Sequence, residues 1–230
     1  MIKRVKIFWE NRAEEYSKSD SFSITNLEED NELQKIKIRK EKEKILNVIE
    51  LTKETMLLDL GSGIGYWSLL FAPKCKKVIG VDFIERMNII ASKRAKEENI
   101  KNVEFITSDI INFKTRINFD YVFLSGVLLY LGDSNANLLI NSINDHTKKN
   151  AMIVVRDSTG MNGRFEIKDK YSEDLQATYN AIYRSKTELI DLFSLQGFSL
   201  VYDDDMFDND SPLNKWHETR LRIYVFQKNN

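Results

Sequence analysis

Three apolar runs in the first half of this 230-residue chain end in residues suited to holding a polar ligand. MLLDL (56–60), carrying Asp59, runs into Gly61-Ser62-Gly63-Ile64-Gly65; KVIGV reaches Asp82-Phe83; VEFITS reaches Asp109-Ile110. Glycines let the backbone turn sharply and let a ligand approach main-chain N–H groups with no Cβ in the way. Asp82 stands 17 residues beyond Gly65, where its two oxygens could accept both hydroxyls of a ribose. Each feature alone has a plain structural reading: a turn for the glycines, a helix cap for Asp82 and another for Asp109. At three successive strand ends they point together to one shared ligand.

The elements that must position these residues follow from hydrophobic periodicity. Short apolar runs at 56–60, 77–83, 103–109, 119–126 and 151–157 read as buried parallel strands. Between them Met87, Ile90, Ala91 and Ala95 fall on one helical face, as do Leu138, Leu139, Ser142 and Ile143. Strand alternating with helix implies a doubly wound α/β sheet. The charge-dense residues 1–50 read as a helical cap with segments near 5–17 and 28–50, although Ile36 and Ile38 alternate with Lys35, Lys37 and Arg39 in a strand-like period. Residues 51–230 form the main domain, with an insert near 158–185 placed as a lid and carrying a helical signal from Ser172 to Tyr183. A helix near 186–196, a strand near 198–203, an acidic loop and a last strand at 219–227 complete the chain. No internal repeat or Pro/Gly/Ser linker divides it.

Composition narrows the class. Lys plus Arg number 34 against 35 Asp plus Glu, so no global field gathers polyanions and nucleic acid is not the favoured partner. The run KIKIRKEKEK (35–44) reads as a solvated helix face in which Glu41 and Glu43 relieve repulsion. One cysteine, Cys75, and two histidines give neither a disulfide nor a zinc site, so no metal is expected and a reducing, cytoplasmic setting fits. The opening MIKRVKIFWENRAEEY meets charges before any signal-length apolar run, and no segment approaches the roughly 18 apolar residues of a spanning helix; neither export by that route nor a membrane anchor is expected.

A dinucleotide fingerprint would need its third glycine at position 66, where the chain has Tyr66; this disfavours a nicotinamide oxidoreductase. The G-x-G-x-G spacing after Asp59, with Asp82 ending the next strand, resembles motif I of the class I S-adenosylmethionine-dependent methyltransferases. FDYVFLSGVLLYL, with Asp120 near its start and Ser125-Gly126 at its end, resembles the family's motif IV region, and FWENRAEEY resembles its common opening. The resemblance covers residues 56 to 157. It implies a mostly parallel seven-stranded sheet of order 3-2-1-4-5-7-6 with the last strand antiparallel, S-adenosylmethionine as cofactor and S-adenosylhomocysteine as product. It also implies cofactor contacts from Tyr16, Asp59, Gly61, Ser62, Gly63, Gly65, Asp82, Phe83, Asp109, Ile110 and Ser125.

Methyl transfer from a sulfonium needs chiefly alignment and exclusion of water, so catalytic residues are less legible than cofactor residues. His217, with an ordinary pKa near ~6.5, precedes the last strand and is a candidate base, against a plain packing or loop role. His146 is expected at the surface. Tyr130 and Tyr183 could orient a substrate through their hydroxyls, and Arg156, at a strand end on the glycine-loop rim, could bind an anionic group. Arg164, Arg184, Arg220 and Arg222 compete for that role with internal ion pairing, since residues 151–230 hold thirteen Asp/Glu against ten Lys/Arg. The resulting expectation is a methyltransferase acting on a small molecule, a sugar or phosphorylated metabolite. The alternatives are a methyltransferase of tRNA or protein, and a binding module without chemistry.

Overall fold

Side chains alternate between two faces along a strand, and here each face of the sheet finds its own helical layer. The structure, a computed structural model, describes residues 2–16, 31–172 and 177–229. Helices α1 (Ile2–Tyr16) and α2 (Asn31–Val48) precede β1 (Met56–Leu60), α3 (Tyr66–Phe71), β2 (Lys77–Asp82), α4 (Glu85–Glu97), β3 (Val103–Thr107) and β4 (Phe119–Ser125). Then come α5 (Asp133–Asp145), β5 (Thr147–Gly160), β6 (Phe165–Ser172), β7 (Ala177–Tyr183), α6 (Lys186–Ser194), β8 (Phe198–Asp205) and β9 (Thr219–Lys228). Seven strands form one sheet in the order β3-β2-β1-β4-β5-β9-β8, with β9 antiparallel to both neighbours. In chain order among those seven this is 3-2-1-4-5-7-6, the arrangement the resemblance implies.

Leu58, Leu60, Val122, Leu124, Ile153 and Val155 face Leu139, Ile140 and Ile143 of α5 and Leu189, Leu192 and Phe193 of α6. The alternate residues Leu57, Phe123, Val154, Ile223 and Val225 face Ile45 of α2 and Phe71 of α3. Phe193 is fully buried and stacked on Phe226 at 4.0 Å. Phe193→Ala is expected to cost roughly 3–5 kcal/mol, the usual loss for an aromatic cavity, read from the urea unfolding midpoint.

Several expectations change. Among the described residues the insert is not helical: β6 and β7 pair antiparallel, Phe165 opposite Tyr183 and Ile167 opposite Ala181. Its Phe165, Tyr171, Thr178, Ile182 and Tyr183 are aromatic or β-branched and suit a pleated backbone better than a helix. β5 extends beyond 151–157 because β9 pairs with it from Met152 to Gly160, through polar Ser158 and Thr159. In α2 the strand-like alternation of Ile36 and Ile38 is overridden: Gln34, Glu41 and Ile45 are buried and, with half-buried Ile38, mark one helical face. The expected helix limits at 17 and 28 fall outside the described residues. His146 is buried rather than exposed, its Nδ1 2.7 Å from the Ser142 carbonyl and its Nε2 accepting the Thr115 N–H at 3.4 Å. His146 is the single residue between α5 and β5, flanked by polar Asp145 and Thr147, so no apolar period announces its burial. Among the described residues no helix is long and apolar enough to cross a membrane, and no cluster of His, Cys, Asp and Glu could hold a metal ion.

Candidate functional site

The parallel strands deliver their carboxyl ends to one rim, where crossing over to a helix leaves a cleft. The cleft here is a cavity of about 470 Å³, bordered by the glycine loop, by the ends of β2 to β5, by α1 and α2, and by the segment after β8. Such a volume lies within the range of ligand pockets, roughly 300–1,000 Å³.

The glycine loop owes its shape to three left-handed residues, Gly61, Gly63 and Gly65, at φ +77°, +52° and +78°. Gly61 and Ser62 donate their N–H groups to the Val81 carbonyl at 2.8 and 3.1 Å, tying the loop to β2. The Gly63 N–H goes to Asp82 Oδ2 and the Ile84 N–H to Asp82 Oδ1, both at 2.9 Å. The Asp82 carboxylate is thus fixed at the cavity wall with acceptor capacity remaining on each oxygen. Burial pushes its pKa up to about 6, although backbone N–H groups of Ile84, Gly63 and Phe83 pull it down.

Ser62 Oγ is buried on the wall and has no hydrogen-bond partner among the described residues. A Cβ on Gly126, which also lines the cavity, would meet nothing within 4 Å. An unspent hydroxyl, a fixed carboxylate and bare backbone on one wall fit an adenosyl ligand approaching closely.

Of the residues singled out in the sequence, Gly61, Ser62, Gly63, Asp82, Phe83, Asp109, Ile110, Ser125 and Arg156 border this one cavity. Asp109 is exposed and caps its own turn, Oδ1 accepting the Ile111 N–H at 2.9 Å. Asp59, at the end of β1, and Gly65, the last glycine of the loop, are off the wall. Asp59 Oδ2 accepts the Ser68 hydroxyl at 2.6 Å, joining β1 to α3. The side chain of Tyr16 lies outside the described residues. His217 is exposed and off the wall, while its neighbour Trp216 is on it. Tyr183 stacks on Phe165 at 5.8 Å across the β6–β7 pair, also off the wall.

Burial also pushes the Asp59 carboxyl up to about 7, with the Ser68 hydrogen bond opposing. A carboxyl whose folded pKa exceeds its unfolded value makes the folded state hold the extra proton, so its stability contribution is complete below about 4 and declines as pH rises to about 7. Asp59→Asn keeps an oxygen for Ser68 and removes the titration. Relative to the parent, the variant should gain at least about 1 kcal/mol in unfolding free energy between pH 5 and pH 7.5. Parallel urea titrations at the two pH values measure the difference.

Other wall residues carried weaker signals. Glu41, read as a solvated residue, is 5% exposed and pairs with Arg156 at 2.6 Å, so the Arg156 guanidinium is already neutralised. Arg156 also donates to Ser125 Oγ at 3.2 Å. Nothing in the local sequence announces that pairing, which depends on how α2 docks. Arg184 is 3% exposed and donates to the carbonyls of Leu128 and Leu131 at 2.8 and 2.7 Å and to Asp133. It pins the short turn that follows β4. Arg164 pairs with Asp133, Glu166 and Glu188, and Arg222 with Asp203 and Asp205. Asp157 borders the cavity too; a carboxylate next to a strand end was the signal that could have found it, as it found Asp82 and Asp109.

Sheet order and glycine loop together define the Rossmann-like fold of class I methyltransferases. A family model described as a methyltransferase domain matches residues 51–213, and the chain belongs to that family. Among curated proteins it is 31% identical over 124 residues to phosphoethanolamine N-methyltransferase 3 of Arabidopsis thaliana, covering 52% of this chain and 25% of that protein. The chain thus spans about a quarter of the length of the plant relatives it matches. Among solved structures, DhpI in its complex with SAH superposes at TM-score 0.69 with 18% identity over 100% of this chain and 97% of that one. The N-methyltransferase NodS from Bradyrhizobium japonicum WM9, in complex with S-adenosyl-L-homocysteine, does so at 0.67 with 14% identity over 99% and 100%. These likenesses establish the fold.

Proposed function

We propose that this protein binds S-adenosylmethionine across the carboxyl ends of β1 to β4 and catalyses methyl transfer to a small-molecule acceptor enclosed beneath α1 and α2. The carrying observation is the Asp82 carboxylate, fixed by the Gly63 and Ile84 N–H groups on the wall that also holds unpartnered Ser62 Oγ. Family membership supports the same reading.

In this reading Asp82 accepts the ribose hydroxyls, Ser62 and the backbone at Gly63 and Gly126 meet the amino-acid portion, and Asp109 with Ile110 receives the adenine. When bound, the cofactor supplies a methyl group on a sulfonium, already activated because a neutral thioether leaves. The chain's own task is alignment and exclusion of water. Phe8, Trp9, Trp67, Tyr130 and Trp216 give the cavity an aromatic wall that sheds water. Residues 1–50 act as the cap and the 158–185 insert as a brace; the Glu41–Arg156 pair ties cap to sheet, and Arg184 ties insert to the turn after β4.

The plant relatives are phosphoethanolamine N-methyltransferases, which supports a compact acceptor, an amine with an anionic group. Arg12, Lys37 and Lys215 are cavity cations that could face such a group. Calorimetry with S-adenosylmethionine and S-adenosylhomocysteine tests the reading: saturable one-to-one binding of both is expected. Absence of binding by well-folded protein would overturn it.

A further inference from the structure

The cofactor residues of the reading above occupy the glycine loop, the ends of β2 and β3, and Gly126 just after β4. The cavity continues past them to the turn after β4 and to Arg156, Asp157 and Ser158 of β5, the part left for an acceptor. The two residues ending the parallel part of β5 differ sharply in what they have to spend. Arg156 is committed to Glu41 and Ser125. Asp157 is 2% exposed yet on the wall, and among the described residues no cation pairs with it.

Its carboxylate accepts the Ser158 N–H at 2.9 Å and the Leu129 N–H at 3.3 Å. A carboxylate has about four acceptor positions, so these two bonds and the nearby Leu128 N–H still leave one for a ligand donor. Holding the turn after β4 does not require this charge, because Arg184 already grips that turn through the Leu128 and Leu131 carbonyls. An ionisable group kept at such a cost of desolvation needs a partner. Burial pushes its pKa up to about 6, against backbone hydrogen bonds from Ser158, Leu129 and Leu128 and the nearby Arg156 charge. Tyr130 follows Leu129 in the turn, and its ring meets Trp9 of α1 edge to face at 5.7 Å. Both rings border the cavity, and aromatic faces beside a carboxylate suit a nitrogen cation or amine.

We propose that Asp157 is the acceptor-binding residue of this enzyme, its carboxylate accepting N–H hydrogen bonds from an acceptor amine in the half of the cavity beside β4 and β5. The inference rests on the methyl-transfer reading and adds the residue that anchors the acceptor's amine. Around Asp157 stand Arg156, held by Glu41, and Tyr130 in the turn; Arg222 lies opposite on β9 and is held by Asp203 and Asp205. Each of these cations already has a carboxylate of its own.

The test uses ethanolamine, phosphoethanolamine and 1,4-diaminobutane as amine probes and phosphoglycolate as the oxygen counterpart. Asp157→Asn keeps an oxygen for the Leu129 N–H, and circular dichroism with cofactor affinity reports its integrity. Three results are expected. Radiolabelled methyl passes to an amine and not to phosphoglycolate. Asp157→Asn lowers kcat/KM for that amine by at least about thirtyfold while cofactor affinity stays within about twofold. In carbon-13 spectra of cofactor-free protein, the Asp157 carboxyl, assigned through the variant, titrates near 6 and moves lower when the amine is added. A folded variant within about threefold of the parent, a carboxyl that no amine moves, or transfer to phosphoglycolate alone would each overturn the assignment. Because the spectroscopic shift needs no cofactor, a protein that shows it but never binds S-adenosylmethionine keeps the amine site and loses the methyl-transfer reading.

Discussion

Asp82→Ala is expected to weaken S-adenosylmethionine binding by more than about tenfold, some 1.4 kcal/mol, with the protein still folded. Hydrogen bonds to a charged acceptor contribute about 1.5–3 kcal/mol each, and the variant removes the group that would accept from the ribose. It also frees the Gly63 and Ile84 N–H groups now bound to the two carboxylate oxygens, so the glycine loop loses its side-chain tie to the β2 end and keeps only the Gly61 and Ser62 bonds to the Val81 carbonyl. Both effects act on the bound state in the same direction. A pH signature follows. The carboxylate that binds best is the ionised one, and in the cofactor-free protein it protonates as pH falls through about 6. Parent affinity should therefore decline between pH 7.5 and pH 5, while the alanine variant, already weak, should show a flatter profile. Calorimetry across that range measures both, and unchanged affinity in the folded variant would remove Asp82 from the cofactor site.

The parts of the molecule legible in the sequence were those whose signal is local. Buried parallel strands carry contiguous apolar runs, so β1, β2 and β4 are readable, β3 is an edge strand whose run is half exposed, and a left-handed turn between strand and helix demands glycines at fixed spacing. The sheet order came from the family resemblance. Local signal ended where burial depended on a distant partner. Glu41 sits in a run of lysines, and only the docking of α2 carries it to Arg156, 115 positions along the chain. Residues 172–183 mix polar and apolar side chains in a way that fits a helical or a strand period, and the pairing of 177–183 with 165–172 decides for strand. Arg184, which the sequence leaves open between ligand binding and internal pairing, braces the turn after β4. Charge alone does not say whether a guanidinium faces a substrate or a carbonyl.

The glycine loop makes the sharpest physical prediction, because its spacing is fixed by two separable constraints at Gly65. This residue is the N-cap of α3, at φ +78°, and a Cβ there would lie 2.7 Å from the Phe105 ring and 2.9 Å from the Ala91 methyl. Gly65→Ala therefore carries a left-handed backbone penalty of about 1–2 kcal/mol and an overpacking penalty of about 1–3 kcal/mol. A total loss of roughly 2–5 kcal/mol is expected by chemical denaturation, with weaker cofactor binding because displaced Gly63 no longer meets Asp82 squarely. Phe105→Leu shortens the ring that causes the clash and leaves the backbone angle alone. The double variant should then be less destabilised than the sum of the single variants by about 1 kcal/mol or more, the overpacking share, while the backbone share persists. Strict additivity of the two substitutions would show that Phe105 is not what excludes a side chain at this position. The left-handed backbone and the Ala91 methyl would then be what requires glycine there.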